Sequence, residues 1–263
     1  MMKIFILGIL MGVSNLIPGI SAGTIAIISG KYEKIILSAS DLISLKIKKE
    51  NFIFLLNLIL GIVIAIFSFS KIVSYLFERY ENYFLSFFIG LIFSGLFFMI
   101  KKLKINKSSL SVLGFSFIVF FIVLTLINAE KNGENFSTNF LLIFLSGVFG
   151  ASAMILPGIS GSTIFLILGV YEPIISAVSN FQLSILIPLA LGVITGLIVL
   201  IKILKIFLSK SFNLTMAFLI GLTIAGMIKI VPMKFNFLIL IFYILGIISG
   251  FLIEKFLNSK VEK

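Results

Sequence analysis

The chain has 263 residues, of which 60% are hydrophobic and 12% are charged, and its formal net charge is +11. Soluble domains carry about 25% charged residues, so this composition excludes a soluble globular protein and predicts an all-α polytopic membrane protein. The sequence contains no cysteine and no histidine, which excludes disulfides, thiolate chemistry and the commonest metal ligand, so we expect no metal site.

Eight apolar segments make up most of the chain. They cover residues 4–30, 53–77, 84–100, 110–128, 140–169, 184–208, 214–231 and 236–257. A helix of about 20 residues crosses a bilayer, so six segments have the length of one transmembrane helix. The first and fifth segments are longer and suit two half-helices each. Basic residues lie mostly between or beside the segments, which favours a topology signal over a nucleic-acid-binding surface, and we expect no nucleic acid partner.

The first and fifth segments contain the same motif. The stretch PGISAGTIAIISGKYE begins at Pro18, and PGISGSTIFLILGVYE begins at Pro157. Over residues 18–36, 12 of 19 positions are identical at a constant offset of 139. Apolar composition alone would not reproduce the Pro-Gly-x-Ser-x-x-Thr frame, so the pattern indicates an internal duplication.

The duplication extends beyond the motif. At an offset of 131, the second and third segments match the sixth and seventh, and Gly61, for example, is paired with Gly192. We therefore predict a first repeat at 1–128 and a second repeat at 140–263, joined by an external linker at 129–139. Each repeat would contain one broken segment followed by three transmembrane helices.

Small residues recur every fourth position in the third segment of each repeat. Such rows allow two helices to approach closely in a membrane. The residues are Ser86, Gly90 and Ser94 in the first repeat, and Ala217, Gly221 and Ala225 in the second.

The repeated motif interrupts a helix. Pro18 and Pro157 each remove a backbone donor, and the glycines that follow them permit a turn. Ser21 and Ser160 are then placed to cap the second half-helix. We therefore predict that the first and fifth segments are re-entrant helical hairpins, which enter and leave the membrane on the same face.

Lysines set the predicted orientation. The loops at 41–51 and 101–107 are rich in lysine and are expected in the cytoplasm, whereas 129–139 and 170–183 have no basic excess and are expected outside. With two hairpins that do not cross, both termini are cytoplasmic, each repeat crosses three times, and the repeats are inverted. If the hairpins crossed the membrane instead, the loop at 170–183, which has no lysine or arginine, would face the cytoplasm. That alternative is therefore less favourable.

This architecture predicts a substrate site at the motif. Secondary transporters hold substrates at discontinuous helices between inverted repeats. Free amides and hydroxyls at a half-helix N-terminus suit an anion such as phosphate. The alternative is a kink that is capped for structural reasons alone, which two copies make less favourable. The predicted phosphate-binding residues are Pro18, Gly19, Ser21, Gly23, Thr24, Pro157, Gly158, Ser160, Gly161, Ser162 and Thr163.

Charged residues near the segment ends each have two interpretations. Glu33 and Glu172, which follow Tyr32 and Tyr171, are candidates for gating or for coupling to H⁺ or Na⁺, since ionisable groups at membrane depth are usually functional. The alternative is that each Tyr-Glu pair is an interfacial anchor. Other basic side chains either snorkel to the interface or attract an anionic headgroup. The candidates for headgroup attraction are Lys71, Lys202 and Arg79.

The two motif copies resemble those of the PopT-type polyprenyl-phosphate translocases, bacterial membrane proteins long described only as a domain of unknown function. The resemblance rests on two P-G-x-S-G-G-T-like blocks, each followed by G-x-Y-E, and it covers both repeats. It implies that the protein returns undecaprenyl phosphate from the outer to the inner leaflet of the bacterial cytoplasmic membrane. This step recycles the carrier lipid of peptidoglycan precursors. Here the blocks read S-A-G-T from Ser21 and S-G-S-T from Ser160.

Two other functions remain open from the sequence. One is transport of another anionic lipid or solute. The other is an enzyme, because undecaprenyl-diphosphatases carry similar re-entrant blocks with a motif arginine and depend on a histidine. This chain has Gly161 at the arginine position and no histidine, so we predict a transporter rather than an enzyme. We expect no cofactor beyond a coupling ion, and the sequence does not indicate the oligomeric state.

Overall fold

The computed structural model describes residues 1–17, 20–127, 139–158, 160–232 and 236–258. Within these ranges all regular secondary structure is helical, as predicted. The helices are α1 (Met2–Asn15), α2 (Ala22–Ile28), α3 (Tyr32–Ile43), α4 (Lys49–Lys102), α5 (Lys107–Ile127), α6 (Phe140–Ile155), α7 (Gly161–Ile167), α8 (Tyr171–Ser179), α9 (Leu183–Lys210), α10 (Phe212–Lys229) and α11 (Phe237–Asn258).

Six helical stretches in the described part of the chain are long and apolar enough to cross a membrane. Two of them belong to α4 and are called α4a (Lys49–Val73) and α4b (Tyr75–Lys102) below. The backbone of Tyr80 is non-helical, so the connection between the second and third apolar segments is a kink. The other four stretches lie in α5, α9, α10 and α11. All six coincide with the predicted transmembrane helices, and the chain is a multi-pass membrane protein.

The first and fifth apolar segments are each broken into two helices, as predicted. Ser21 and Ser160 are the N-cap residues of α2 and α7, and each hydroxyl accepts a hydrogen bond from the amide three residues later. The second helix of the fifth segment turns back along the first. Both the backbone of Gly161 and the ring of Phe165, in α7, lie against Gly150 in α6.

Two short helices, α3 and α8, replace parts of the loops expected at 41–51 and 170–183. Both begin at the tyrosine of the motif, and Glu33 and Glu172 lie in their first turns. A carboxylate in the first turn favours a helix because it interacts with the positive end of the helix dipole. The chain bends by 120° between α7 and α8. The connections at 41–51 and 170–183 therefore include helical turns, which their charge alone does not predict.

Glycines allow close packing within each half of the chain. Gly8 of α1 lies against Gly61 of α4a, and Gly147 of α6 lies against Gly192 of α9. An added Cβ at any of these positions would collide with the backbone of the facing helix. In each half, the first helix of the broken pair is therefore packed on the next membrane-length helix, α4a or α9.

The second membrane-length helix in each half, α4b or α10, packs against the other half. Gly90 of α4b lies against Tyr243 of α11, and Gly221 of α10 lies against Ser116 of α5. Both glycines belong to the rows of small residues that predicted close helix approach, so this prediction is confirmed. Because each half packs one of its helices against a helix of the other half, the two halves are interlocked.

Both ends of the α1–α2 pair lie at one end of the bundle. Lys3 lies over the ring of Phe256 near the end of α11, with Nζ 5.3 Å from the ring centroid. Lys31, which follows α2, donates from Nζ to Asn258 Oδ1 at the last residue of α11 (2.8 Å). The chain thus starts and returns at the same place, which is called the lysine-rich end below.

The ends of the α6–α7 pair lie at the opposite end of α9. Ile143 in α6 and Val170, which follows α7, share an apolar cluster with Leu189 near the start of α9. The last turns of α9 instead contact α3, where Lys205 Nζ lies 2.9 Å from Asp41 Oδ1 and lowers the pKa of that carboxyl. Since a helix rises 1.5 Å per residue, these two regions are about 24 Å apart along α9.

Candidate phosphate site between the two helix breaks

The two copies of the motif meet. Ser21 donates a hydrogen bond from Oγ to the carbonyl oxygen of Leu156 (3.0 Å), and the amide of Gly158 donates to Thr24 Oγ1 (3.4 Å). Gly23 lies against the carbonyl of Ile155. The two breaks, called the first tip (residues 16–24) and the second tip (residues 156–163), therefore form one structure. Pro18 and Gly19 of the predicted site lie outside the described residues.

Glycine is required at Gly158 for two reasons. Its φ of +85° is a conformation that residues with a side chain rarely adopt. In addition, a Cβ there would collide with the carbonyl of Leu222 in α10, and Gly226 of α10 packs on the carbonyl of Gly158 itself. The adjacent Pro157 is fully buried. The second tip is thus held against α10.

Hydroxyls of the first tip are committed to holding the structure together. Ser21 and Thr24 are each only 1% exposed. The Ser21 hydroxyl accepts from the Thr24 amide (3.4 Å) and donates its single proton to Leu156. Thr24 receives the Gly158 amide from the second tip. These two side chains join the tips, and Ser21 retains only acceptor capacity for a ligand.

Among the described residues, the hydroxyls of the second tip bond only within that tip. Ser160 Oγ lies 2.9 Å from Ser162 Oγ and 2.8 Å from Thr163 Oγ1. Hydroxyl protons rotate to suit their partners, so this cluster is able to turn donors toward an anion. Identical motif positions therefore have different roles in the two tips.

A cavity of about 60 Å³ lies between the tips. At about 10–15 Å³ for each water-sized occupant, it has room for a small polar group. Motif residues from both tips line it, together with one amide side chain that we did not predict. The lining residues are Asn15, Ile20, Ser21, Met154, Ser160, Gly161 and Ser162.

Asn15 is the site residue that sequence analysis missed. Its Oδ1 accepts a hydrogen bond from the amide of Ala22 (2.8 Å), the first residue of α2. At the offset of 139, the second repeat has Met154 in its place. Because methionine offers no amide oxygen, the two tips differ in how their first helical amides are satisfied. The sequence signal for this site residue is an amide side chain three positions before the motif proline.

Asn15→Met is expected to destabilise the first tip by about 0.5–2 kcal/mol, the usual cost of losing a capping side chain. Asn15→Asp keeps an oxygen acceptor at the same place and is expected to retain the stability of the parent protein. Thermal unfolding of the two purified variants measures the difference. Equal stability of Asn15→Met and the parent would show that the Ala22 amide does not need this partner.

The other predicted residues lie away from this cavity. Glu33 and Glu172 are exposed in the first turns of α3 and α8, and Tyr171 is partly buried. Tyr32 is buried, and burial raises the pKa of its hydroxyl well above the usual value. The three basic candidates are exposed on membrane-length helices, in α4a, in α9 and beside the kink of α4: Lys71, Lys202 and Arg79.

Comparison with known proteins identifies relatives over most of the chain. A polyprenyl-phosphate transporter of Vibrio cholerae is 32% identical over 242 residues, which cover 88% of this chain and 77% of that protein. A polyprenyl-phosphate transporter of Staphylococcus aureus is 34% identical over 240 residues, covering 86% and 84%. No solved structure matches the chain significantly.

The family model agrees with these relatives. Residues 11–241, which include both tips and all but the last of the membrane-length helices in full, match the model described as undecaprenyl phosphate translocase-like. The resemblance inferred from the two motif copies is therefore confirmed. The chain belongs to the undecaprenyl phosphate translocase-like family of membrane proteins.

Proposed function

We propose that the protein translocates undecaprenyl phosphate from the outer to the inner leaflet of the bacterial cytoplasmic membrane, returning this carrier lipid for reuse in cell-envelope synthesis. The observation that carries the proposal is the meeting of the two tips around one cavity lined by hydroxyls. Relatives named polyprenyl-phosphate transporters supply the substrate class. The protein acts as a transporter and not as an enzyme.

Inverted re-entrant hairpins would give this site access to both leaflets. The proposal is supported by the positions of the helix ends, since the α1–α2 pair begins and ends at the lysine-rich end and the α6–α7 pair at the other. By the positive-inside rule the lysine-rich end, with both termini, is cytoplasmic. The 14 residues of α1 span about 21 Å, which is less than a hydrocarbon layer of about 30 Å and supports a break at membrane depth.

The phosphate headgroup would occupy the cavity while the polyprenyl tail stays in the lipid. The second tip supplies hydroxyl donors from Ser160 and Ser162, and Gly161 lets the backbone line the cavity. Hydrogen bonds from such groups replace the water that the headgroup loses on entering the membrane. Rocking of one repeat against the other would open the cavity to each face in turn.

Inward movement of the headgroup requires an energy source. A phosphate monoester carries about −1.5 to −2 charges near neutral pH, and its transfer to the negative side costs about 2.3 kcal/mol per charge for each 100 mV. Cotransport of H⁺ or Na⁺ would offset this cost. We assign the coupling role to Glu33 and Glu172, which lie in the first turns of α3 and α8, just after the two broken pairs.

Glu33→Gln and Glu172→Gln are expected to abolish the dependence of transport on an ion gradient while headgroup binding is retained. The change removes a protonatable carboxylate and keeps the size of the side chain. Leaflet exchange in proteoliposomes, with and without a proton or sodium gradient, measures the coupling. Glu50→Gln, in the first turn of α4, is the matched control. If both variants respond to the gradient as the parent does, these carboxylates have no part in coupling.

The proposed function is tested by purified protein in liposomes that carry labelled undecaprenyl phosphate in one leaflet. Undecaprenyl diphosphate is supplied in a parallel sample. We expect exchange of the monophosphate between leaflets and no release of inorganic phosphate from the diphosphate. Phosphate release without leaflet exchange would contradict the proposal and indicate an enzyme instead.

A further inference from the structure

The two repeats have different conformations although they share the motif. Ile28 and Ile36 of the first repeat are 1% and 2% exposed. The isoleucines at the offset of 139 are Ile167 and Ile175, and these are 37% and 49% exposed. Since the residue types are identical, the difference arises from what packs on each repeat and not from the motif itself.

Equivalent glycines contact different parts of the two broken segments. Gly95 of α4b and Gly226 of α10 are paired at the offset of 131. Ile28, the last residue of α2, lies against Gly95, whereas Gly158 of the second tip lies against Gly226. The broken segment therefore has a different position along its neighbouring helix in each repeat.

The short helix α3 joins the two repeats at the lysine-rich end. It packs on α4 of its own repeat and on α9 of the other. In the described part of the chain α8 packs on α9 of its own repeat, and no comparable contact joins it to α4a. The described helices are therefore closed between the repeats at the lysine-rich end and lack the equivalent contact at the other end.

An ion pair lies across the contact of α3 with α9. Lys205 Nζ of α9 is 2.9 Å from Asp41 Oδ1 of α3, and Asn51 donates from Nδ2 to Asp41 Oδ2 (3.3 Å). At the equivalent positions, Asn180 replaces Asp41 in the second repeat and Ser74 replaces Lys205 in the first. Both charged side chains are partly exposed, so the pair stabilises the contact only weakly. A link of this strength suits a contact that must also open.

We propose that the contact of α3 with α9 is the gate at the lysine-rich end, held closed by Asp41 and Lys205, and that it opens when the two repeats exchange conformations. In that second state α8 would pack on α4a, and α3 would leave α9. Inverted repeats allow this exchange, since each repeat is able to adopt the conformation that the other has. The gate rests on the proposed function, because a transporter has to open each end in turn.

Chemical crosslinking across the contact tests the gate. Because the chain has no cysteine, Asp41→Cys with Lys205→Cys places two thiols on facing side chains. The purified variant is joined by a short bifunctional thiosulfonate reagent, reconstituted in liposomes with undecaprenyl phosphate, and then treated with a reductant. We expect the crosslink to stop leaflet exchange and the reductant to restore it.

Asp41→Cys with Asn51→Cys is the matched control. Its crosslink joins α3 to the start of α4 within the first repeat, so exchange should continue. Exchange at an unchanged rate after crosslinking of Asp41→Cys with Lys205→Cys would overturn the gate, and so would failure of these two thiols to crosslink. Absence of leaflet exchange in the parent protein would instead refute the proposed function.

The role of the ion pair is tested by the accessibility of a thiol beneath the gate. Ile36→Cys introduces this thiol at a buried position of α3, in the apolar cluster that includes Leu204 of α9. With Asp41→Asn added, we expect a water-soluble thiol reagent to label it about two- to fivefold faster, the range for loss of one partly exposed ion pair. Glu50→Gln, in the first turn of α4, is the control and should leave the rate unchanged. An equal rate with Asp41→Asn would show that the ion pair does not hold the gate closed.

Discussion

Replacement of both Ser160 and Ser162 by alanine is expected to reduce leaflet exchange of undecaprenyl phosphate at least tenfold. Both hydroxyls line the cavity between the tips and bond to each other rather than to another element. A hydrogen bond to a charged group contributes about 1.5–3 kcal/mol, which corresponds to roughly 10–100-fold in binding. The measurement is the exchange rate in proteoliposomes at limiting lipid.

Two comparisons separate binding from folding in this experiment. Ser162→Ala alone keeps the Ser160 cap of α7 and should still slow exchange. Ser146→Ala removes a buried hydroxyl that bonds only within α6, to the carbonyl of Leu142 (2.7 Å), and should leave the rate unchanged. A double variant that is folded and exchanges lipid at the parental rate would show that the second tip does not hold the headgroup.

Gly158→Ala is expected to lower the stability of the protein by more than 2 kcal/mol and to abolish transport. An L-residue in a left-handed conformation costs about 1–2 kcal/mol, and the new Cβ would also collide with the carbonyl of Leu222. The second tip would have to move away from α10 and from Thr24. Thermal unfolding and leaflet exchange of the purified variant measure the two effects.

Gly114→Ala is the matched control for this substitution. Gly114 lies in α5, and a Cβ added there meets nothing within 4 Å. Glycine in the middle of a helix is less favourable than alanine by about 0.8–1.0 kcal/mol, so we expect the control to be neutral or slightly more stable. If Gly158→Ala retained the stability and transport of the parent, the close approach of the second tip to α10 would not be needed for either.

Most of the fold could be predicted because its signals are local. The length of an apolar segment determines whether one helix crosses the membrane, and Pro157 with Gly158 is enough to interrupt a helix. The starts of α3 and α8 were missed although Tyr32 and Tyr171 were recognised. The charge of these segments alone predicts loops, whereas a carboxylate such as Glu33 in the first turn favours a helix.

The asymmetry of the site could not be predicted, because it arises from contacts between distant parts of the chain. Ser21 and Ser160 occupy equivalent motif positions, yet only the proton of Ser21 is committed to the opposite tip. The contrast between Asn15 and Met154 lies outside the aligned block. Sequence similarity therefore predicted phosphate-binding residues in both tips alike. In the structure both tips line the cavity, but the Ser21 proton is used to join the tips, whereas the Ser160 hydroxyl bonds within its own tip.

The most direct test of a single headgroup site between the tips is protection of a thiol placed in the cavity. The chain has no cysteine, so Met154→Cys introduces the only thiol at a residue that lines the cavity without a proposed bond to the headgroup. A membrane-impermeant thiol reagent is applied to each side of proteoliposomes, with and without undecaprenyl phosphate. We predict labelling from both sides and protection by the lipid in each case. Labelling that undecaprenyl phosphate does not change, in a variant that still exchanges the lipid, would contradict the account.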